Sequence, residues 1–392
     1  MTTSGNVPRW KRYLSPNFVI SKVREKGVIG CTRVVWQRIG ASLEVAVGNV
    51  YYKATKQPNV LYAFYDLAVS PATFDIVTFL VLADLERKES GCELLHVVIV
   101  PGPDAGFRAG DSESYRKTGT RSYDTDYMTW RLRNILIPCC WLIPSCRHIT
   151  VCGSRAEAQA LQASLVKTVF PRGYTVSSPK EKYQWRHIAG ALSRTSVLPT
   201  IQATPEALRF MSSWIQSKAG ERKVITITLR ECSYEKGRNS SLKDWGAFAR
   251  RLDPALYCPV VVRDAESSFD SLPLELNGLL VLPEVVWNIE LRTALYELSY
   301  LNMLVDNGPA LLCKLNRCTR FLIFKLCTSS GSPTVEEYYR DLGIEPGIQL
   351  HPAIPFQRFV WENDRLDVIQ EAFRDMCDGI DEFSKDDLQV VV

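Results

Sequence analysis

The sequence predicts an α/β protein with two Rossmann-like halves, each a doubly wound parallel sheet, facing one another across a cleft. Three observations carry this. Apolar, β-branched runs alternate with helical patterns from residue 58 onward, the signature of βαβ units. Runs such as VITITL (224–229) are β-branched or apolar at every position, as strands covered on both faces are. The chain has 392 residues, more than one core usually serves, and a breaker-rich stretch near its middle divides it. The expected parts are a basic N-terminal extension (1–57), an N-terminal half (58–205), a C-terminal half (206–350) and a C-terminal segment (351–392) with a helix and an acidic tail.

In order, NVLYAFYDLAV (59–69) reads as a strand. PATFDIVTFLVLADLERKESG (71–91) reads as a helix, with Pro71 and Thr73 suited to its start and Gly91 to its stop. ELLHVVIVPG (93–102) is a second strand, and a long polar loop follows it, of a kind that often serves function. YMTWRLRNILIPCCWLIPSC (127–146) is a helix bent or ended by Pro138 and Pro144. HITVCGS (148–154) is a strand running into the helix RAEAQALQASL. Residues 171–205 hold Pro171, Gly173, Pro179, Pro199 and Pro205 and read as irregular. A helix over 205–218 then leads into the strand at 224. The alternation resumes with a helix (241–252), strands (257–264 and 278–284), a helix (288–301), and a strand and turn (302–308). A short helix (309–316), a strand (320–326) and helices over 334–343 and 364–376 close the chain.

Composition excludes several classes. No apolar run reaches the length a membrane-spanning helix needs. The 12 cysteines show no Cys-x-x-Cys pair, and the four histidines show no paired spacing, so buried free thiols and no metal site are expected. With no secretory signal visible, the expected location is the cytoplasm. Net charge is +4, but residues 1–57 carry ten Lys/Arg against Glu25 and Glu44, hence +8, and the remainder carries −4. That segment also holds Trp10, Phe18 and Trp36, so it suits an anionic membrane surface, or else is a solvated extension packed on the body. Nucleic acid is not expected, because the charge is confined to one end and no recognised binding module follows it.

Two stretches carry the chemistry. Val224–Leu229 ends in Arg230 and Glu231, with Arg238 and Asn239 in the loop beyond. In a parallel sheet, ligands sit at the C-terminal strand ends. Residues 302–308 end in Asp306, Asn307 and Gly308, followed by Pro309 and a helix whose first amides can meet a phosphate.

The order helix, short strand, Asp-x-Gly-Pro, helix, strand resembles the nucleotide-sugar half of GT-B-fold glycosyltransferases such as bacterial heptosyltransferases. Those carry Asp-(Thr/Ser)-Gly-Pro-x-His-Leu-Ala. Asp306, Gly308, Pro309 and Leu312 match, while Leu311 stands where the His would be. Thr228-Leu229-Arg230 is similar to the strand-end His-x-Arg of GT-B fucosyltransferases, where the Arg pairs with the donor diphosphate. The resemblance implies transfer of a sugar from a nucleotide-sugar donor to a glycan or lipid-linked acceptor in surface-polysaccharide synthesis, at the inner face of the cytoplasmic membrane. It implies no metal and no cofactor, the nucleotide-sugar being substrate.

On this reading Arg230, Arg238, Asn307, Gly308 and Pro309 hold the donor diphosphate, since a guanidinium fork binds two phosphate oxygens. Glu231, Asn239, Asp306 and Glu362 face the nucleotide or sugar, Glu362 because the last helix of such enzymes commonly crosses back to the first domain. A base for the acceptor hydroxyl comes from the first half, either Asp66 or Asp104, both also common cap or turn residues. Trp130–Asn134 lines the acceptor side. A nucleotide-sugar epimerase of the same architecture, and a non-catalytic sugar-binding relative, remain alternatives.

Overall fold

The computed structural model describes residues 59–325 and 356–383, apart from 166–168, 181, 196 and 234. The expectations for residues 1–57 and for a helix over 334–343 lie outside them.

The first half opens with β1 (Val60–Asp66), α1 (Asp75–Glu89) and β2 (Leu94–Val100). The polar stretch that follows is not a bare loop. It contains α2 (Asp111–Thr118), bracketed by Gly110 and Gly119, both in the left-handed region that glycine tolerates. Next come α3 (Thr125–Arg131), a π-helical turn (Leu132–Leu136) and α4 (Ile137–Trp141). The wide turn precedes Pro138, which has no N–H to give to a regular helix. The half closes with β3 (Cys146–Val151), α5 (Arg155–Ser164), the two-residue β4 (Val169–Phe170) and α6 (Trp185–Leu192). All pairings are parallel, in the order β3-β2-β1-β4.

The second half runs α7 (Pro205–Ala219), β5 (Lys223–Thr228), α8 (Leu242–Arg251), β6 (Tyr257–Val262), β7 (Leu280–Val281), α9 (Glu284–Trp287), α10 (Ile289–Leu298), β8 (Leu301–Val305), α11 (Ala310–Lys314), β9 (Phe321–Phe324), β10 (Gln357–Phe359) and α12 (Leu366–Glu382). The parallel sheet has the order β10-β9-β8-β5-β6-β7. Counted from its own first strand this is 3-2-1-4-5-6. The chain reverses direction across the sheet between β5 and β8, and a crevice opens beyond their C-terminal ends. Arg230 follows β5 and Asp306 follows β8. The architecture therefore brings the two sequence stretches together at the switch point.

The two halves are not separate cores. One cluster joins Leu61, Phe79, Leu95 and Leu136 of the first to Ile289, Leu304, Leu312 and Phe321 of the second. The segment between them straps both together: Ile201 N–H donates to the Leu315 carbonyl and Gln202 N–H to that of Leu142. The last helix does not cross to the first half. Its buried residues Ile369, Ala372, Met376 and Ile380 join Trp245 and Phe248 of α8, and Leu252 just beyond it, in the second half's own cluster.

Candidate functional site

A cavity of about 330 Å³ lies between the halves, lined by Arg230, Arg238, Asn307, Gly308 and Pro309 from the second. The five residues expected to hold a diphosphate thus meet in one place.

Arg230 is buried, and its position is built by its own loop. Its backbone N–H donates to Ser240 Oγ and its carbonyl accepts the Ser240 N–H, both at 2.9 Å. Its Nη1 donates to the Glu235 carbonyl at 3.0 Å and to Asn239 Oδ1. Asn239 also bonds the backbone of Cys232 on both sides, so it braces Arg230 from within the loop. Arg238 donates from Nη1 to Glu235 Oε2 at 2.8 Å and from Nη2 to the Asp306 carbonyl at 3.2 Å. Its Nε is buried with no protein partner. Burial, and then the neighbouring Arg238 guanidinium, draw Arg230 below its ordinary pKa. Two cations held together in a half-dry cleft favour an anion between them.

Lys325 holds this loop from below. It stands at a left-handed φ of 58°, and its Nζ donates to the Asn239 carbonyl at 2.7 Å and lies 3.3 Å from Asp364 Oδ1. Asp364 is itself buried and accepts from Ser241 N–H and Trp245 Nε1.

The turn at 307–309 differs from the expectation in one respect. The amides of Ala310, Leu311 and Leu312 are bonded within the turn, to the carbonyls of Asn307, Gly308 and Pro309. These three amides are therefore not open to a phosphate. Gly308 is required by close approach: a Cβ there would lie 2.8 Å from Phe74 Cδ2 across the cleft.

Several other expectations are corrected. Asp66 is 3% exposed and chelated by Arg155 at 2.8 and 3.1 Å, with Tyr174 Oη donating at 2.7 Å. Its oxygens are committed to joining β1 to α5, which leaves no open lone pair for a substrate proton. Asp104 accepts the N–H and Oγ of Ser112 at 3.0 and 2.7 Å, pinning the start of α2, and does not line the cavity. Glu231 forms a buried pair with Arg263 at 2.6 Å. Asp306 pairs with Lys314 at 2.5 Å. Glu362 is exposed and away from the cavity, its carbonyl accepting the Lys325 N–H. None of these five carboxylates lines the cavity.

The first half supplies what sequence reasoning largely missed. Arg108, Tyr123, Tyr127, Trp130 and Arg131 line the opposite wall. Trp130 and Arg131 belong to the polar patch singled out in the helix. Tyr127 and Trp130 stack with centroids 5.5 Å apart and planes 1° from parallel. Arg131 caps the Tyr127 ring at 4.4 Å, a cation–π contact. The Trp130 Nε1 is buried without a protein partner. From the second half, Arg292 lines the floor, its Nε donating to Tyr296 Oη at 2.9 Å, and Tyr296 meets Thr228 on β5. Asp264 and Glu266 complete the wall.

Asp75 was also missed. It begins α1 directly after Thr73 and Phe74, both of which line the cavity. Thr73 Oγ1 donates to its Oδ2 at 3.1 Å. Burial raises its pKa, against the opposing pull of Thr73, Lys182 and Arg108. Asp75 itself does not line the cavity, as its neighbours Thr73 and Phe74 do; a carboxyl raised by burial next to a cleft is a candidate proton acceptor. The available signal was its position, on the loop that follows the first strand.

No protein-family model and no curated protein matches the chain. Among solved structures it is similar to a glycosyl transferase family 9 protein from Veillonella parvula DSM 2008, at 10% identity over 81% of this chain and 89% of that one, with a TM-score of 0.41. It is also similar to E. coli ADP-heptose lps heptosyltransferase II, at 10% identity over 81% and 98% of the two chains, with a TM-score of 0.39. The wall teichoic acid polymerase TagF aligns at 10% identity over 82% and 84%, with a TM-score of 0.27.

Proposed function

We propose that the protein is a glycosyltransferase that moves a sugar from a nucleotide-sugar donor to a glycan or lipid-linked acceptor in polysaccharide synthesis. One observation carries the reading: Arg230, Arg238 and the Asn307–Pro309 turn line a single cavity at the switch point of a 3-2-1-4-5-6 sheet. A nucleoside diphosphate is the anion that this geometry suits, with Arg292 beneath it. As the sugar–phosphate bond breaks, charge grows on the leaving phosphate, and fixed guanidinium groups stabilise it without reorganising. The same cations serve where a metal ion would in other sites, so the reaction proceeds on side chains alone. Asp75 receives the proton of the acceptor hydroxyl, and Tyr127 and Trp130 give the acceptor sugar an aromatic wall. The first-half wall favours transfer to an acceptor over epimerisation, which needs none. Residues 1–57 would hold the enzyme at an anionic membrane surface.

The test is thermal unfolding with UDP, GDP, ADP and CDP in turn. Binding to the native state raises the midpoint, so at least one nucleotide stabilises the wild type, and Arg238→Ala removes that gain while Arg209→Ala keeps it. Arg209 is an exposed α7 residue paired with Glu206. No stabilisation by any of the four overturns the reading.

A further inference from the structure

Five arginines line the cavity, against the carboxylates of Asp264 and Glu266. Four of the five are satisfied or solvated. Arg108 and Arg238 pair with Asp111 and Glu235. Arg230 is fixed within its own loop, bonded to the Glu235 carbonyl and Asn239. Arg131 is half-buried and caps the Tyr127 ring, so solvent still reaches its charge. Arg292 differs from all of these. It is 4% exposed, and no carboxylate pairs with it among the described residues. Its Nε donates to Tyr296 Oη at 2.9 Å, while both Nη groups bond no protein atom and open on the cavity. The Tyr296 ring, 5.7 Å from the guanidinium carbon, supplies π density but no countercharge. Burying a cation without a countercharge is costly, so Arg292 awaits an anion that the cavity receives.

The place of Arg292 says which part of a substrate brings that anion. Tyr296 Oη also meets Thr228 Oγ1 at 2.9 Å, on the last residue of β5 and two residues before Arg230. Arg292 thus hangs from the same strand end as the diphosphate clamp and comes, like it, from the second half. In a nucleotide-sugar the sugar is joined directly to the diphosphate, so the group beside that clamp is the donor sugar. The acceptor wall of Tyr127 and Trp130 belongs to the first half.

We propose that Arg292 reads a carboxylate on the donor sugar, which makes the donor a nucleotide-linked uronic acid. A carboxylate meets one guanidinium charge for charge, and its two oxygens match the fork. A phosphate monoester would bring nearly twice that charge to a single buried cation. The neutral hydroxymethyl group of an ordinary hexose would leave the cation unpaired, and that penalty is what discriminates against it. Calling the ligand a donor sugar rests on the transferase reading; the need of Arg292 for an anion does not.

The experiment is titration calorimetry of the full chain with α-D-glucuronic acid 1-phosphate and with α-D-glucose 1-phosphate. The two probes differ in one carboxylate and need no nucleotide base. The wild type is expected to bind the acid roughly ten- to a hundredfold more tightly, the scale of one charge-assisted bond. Arg292→Met is expected to bind both probes alike, at the wild-type affinity for the neutral one. Free of ligand it should melt no lower than wild type, since an apolar side chain of similar volume replaces an unpaired charge. Arg292→Lys should keep part of the preference, and with the wild-type comparison it decides the matter if the Met variant does not fold. Equal binding of the two probes by the wild type, a preference that persists in Arg292→Met, or a lowered melting point in that variant overturns the proposal. So does a preference seen only between methyl β-D-glucuronide and methyl β-D-glucoside in protein saturated with glucose 1-phosphate, which would move the carboxylate to the acceptor. A wild-type preference for the acid in a protein that no nucleoside diphosphate stabilises would keep the carboxylate site and overturn the transferase reading.

Discussion

Arg238 donates from Nη2 to the carbonyl of Asp306 at 3.2 Å, tying the loop after β5 to the turn after β8. The two strand ends that create the crevice are thus locked in register by a residue that also faces it. Arg238→Ala should remove a charge-assisted contact worth roughly 1.5–3 kcal/mol, weakening nucleoside diphosphate binding about ten- to a hundredfold. Arg238→Lys keeps the charge but cannot reach both partners, so intermediate affinity by calorimetry is expected. Wild-type affinity in both variants would remove Arg238 from the site.

Asp75→Asn should leave donor affinity unchanged and lower turnover by roughly 10²- to 10⁴-fold, the range for a lost general base. Because burial holds the carboxyl above its usual range, wild-type turnover should fall on acidification at a higher pH than an ordinary carboxylate gives. A wild-type profile flat through the weakly acidic range, or an active Asn variant, would contradict the role.

Gly308→Ala places a Cβ 2.8 Å from Phe74 Cδ2. The ring must move, at a cost of roughly 1–3 kcal/mol in stability. Phe74→Leu should relieve part of it, so that the double variant unfolds at lower cost than the two single losses summed. Strict additivity in denaturant melts would show that the contact is not the constraint.

His96 is packed between Tyr62 and His148, with Nε2 bonded to Thr150 Oγ1. Burial, and then His148, lower its pKa from 6.5 to about 4. The folded state therefore resists a proton that the unfolded chain accepts. This contribution is present above pH 6.5 and is lost as pH falls toward 4. His96→Gln should flatten the decline of melting temperature over that interval, and an unchanged slope would place the acid sensitivity elsewhere.

The second half was legible because its central strands are largely β-branched or apolar and its ligand turns follow them directly. Arg230 and Asp306 could be placed at strand ends from sequence alone. The roles of the carboxylates could not. Asp66, Glu231 and Asp306 were themselves expected in the site, yet Arg155, Arg263 and Lys314 claim them. Those partners lie 89, 32 and 8 residues away, and pairing at such distances leaves no local pattern. The first-half wall was hidden differently. Asp111–Thr118 reads as polar loop by hydropathy, although Gly110, Gly119, an acidic first turn and a basic last turn were helix signals.

The shared cluster joining Leu61 and Leu136 to Leu304 and Leu312 makes the two halves one cooperative unit. Residues 206–392 produced alone would expose the faces of β8 and α11 that the first half covers, and should aggregate. The two halves should melt in a single transition followed equally well by any probe placed in either. The width of the cleft is then a property of the core itself, and a ligand finds the guanidinium groups already at their working separation.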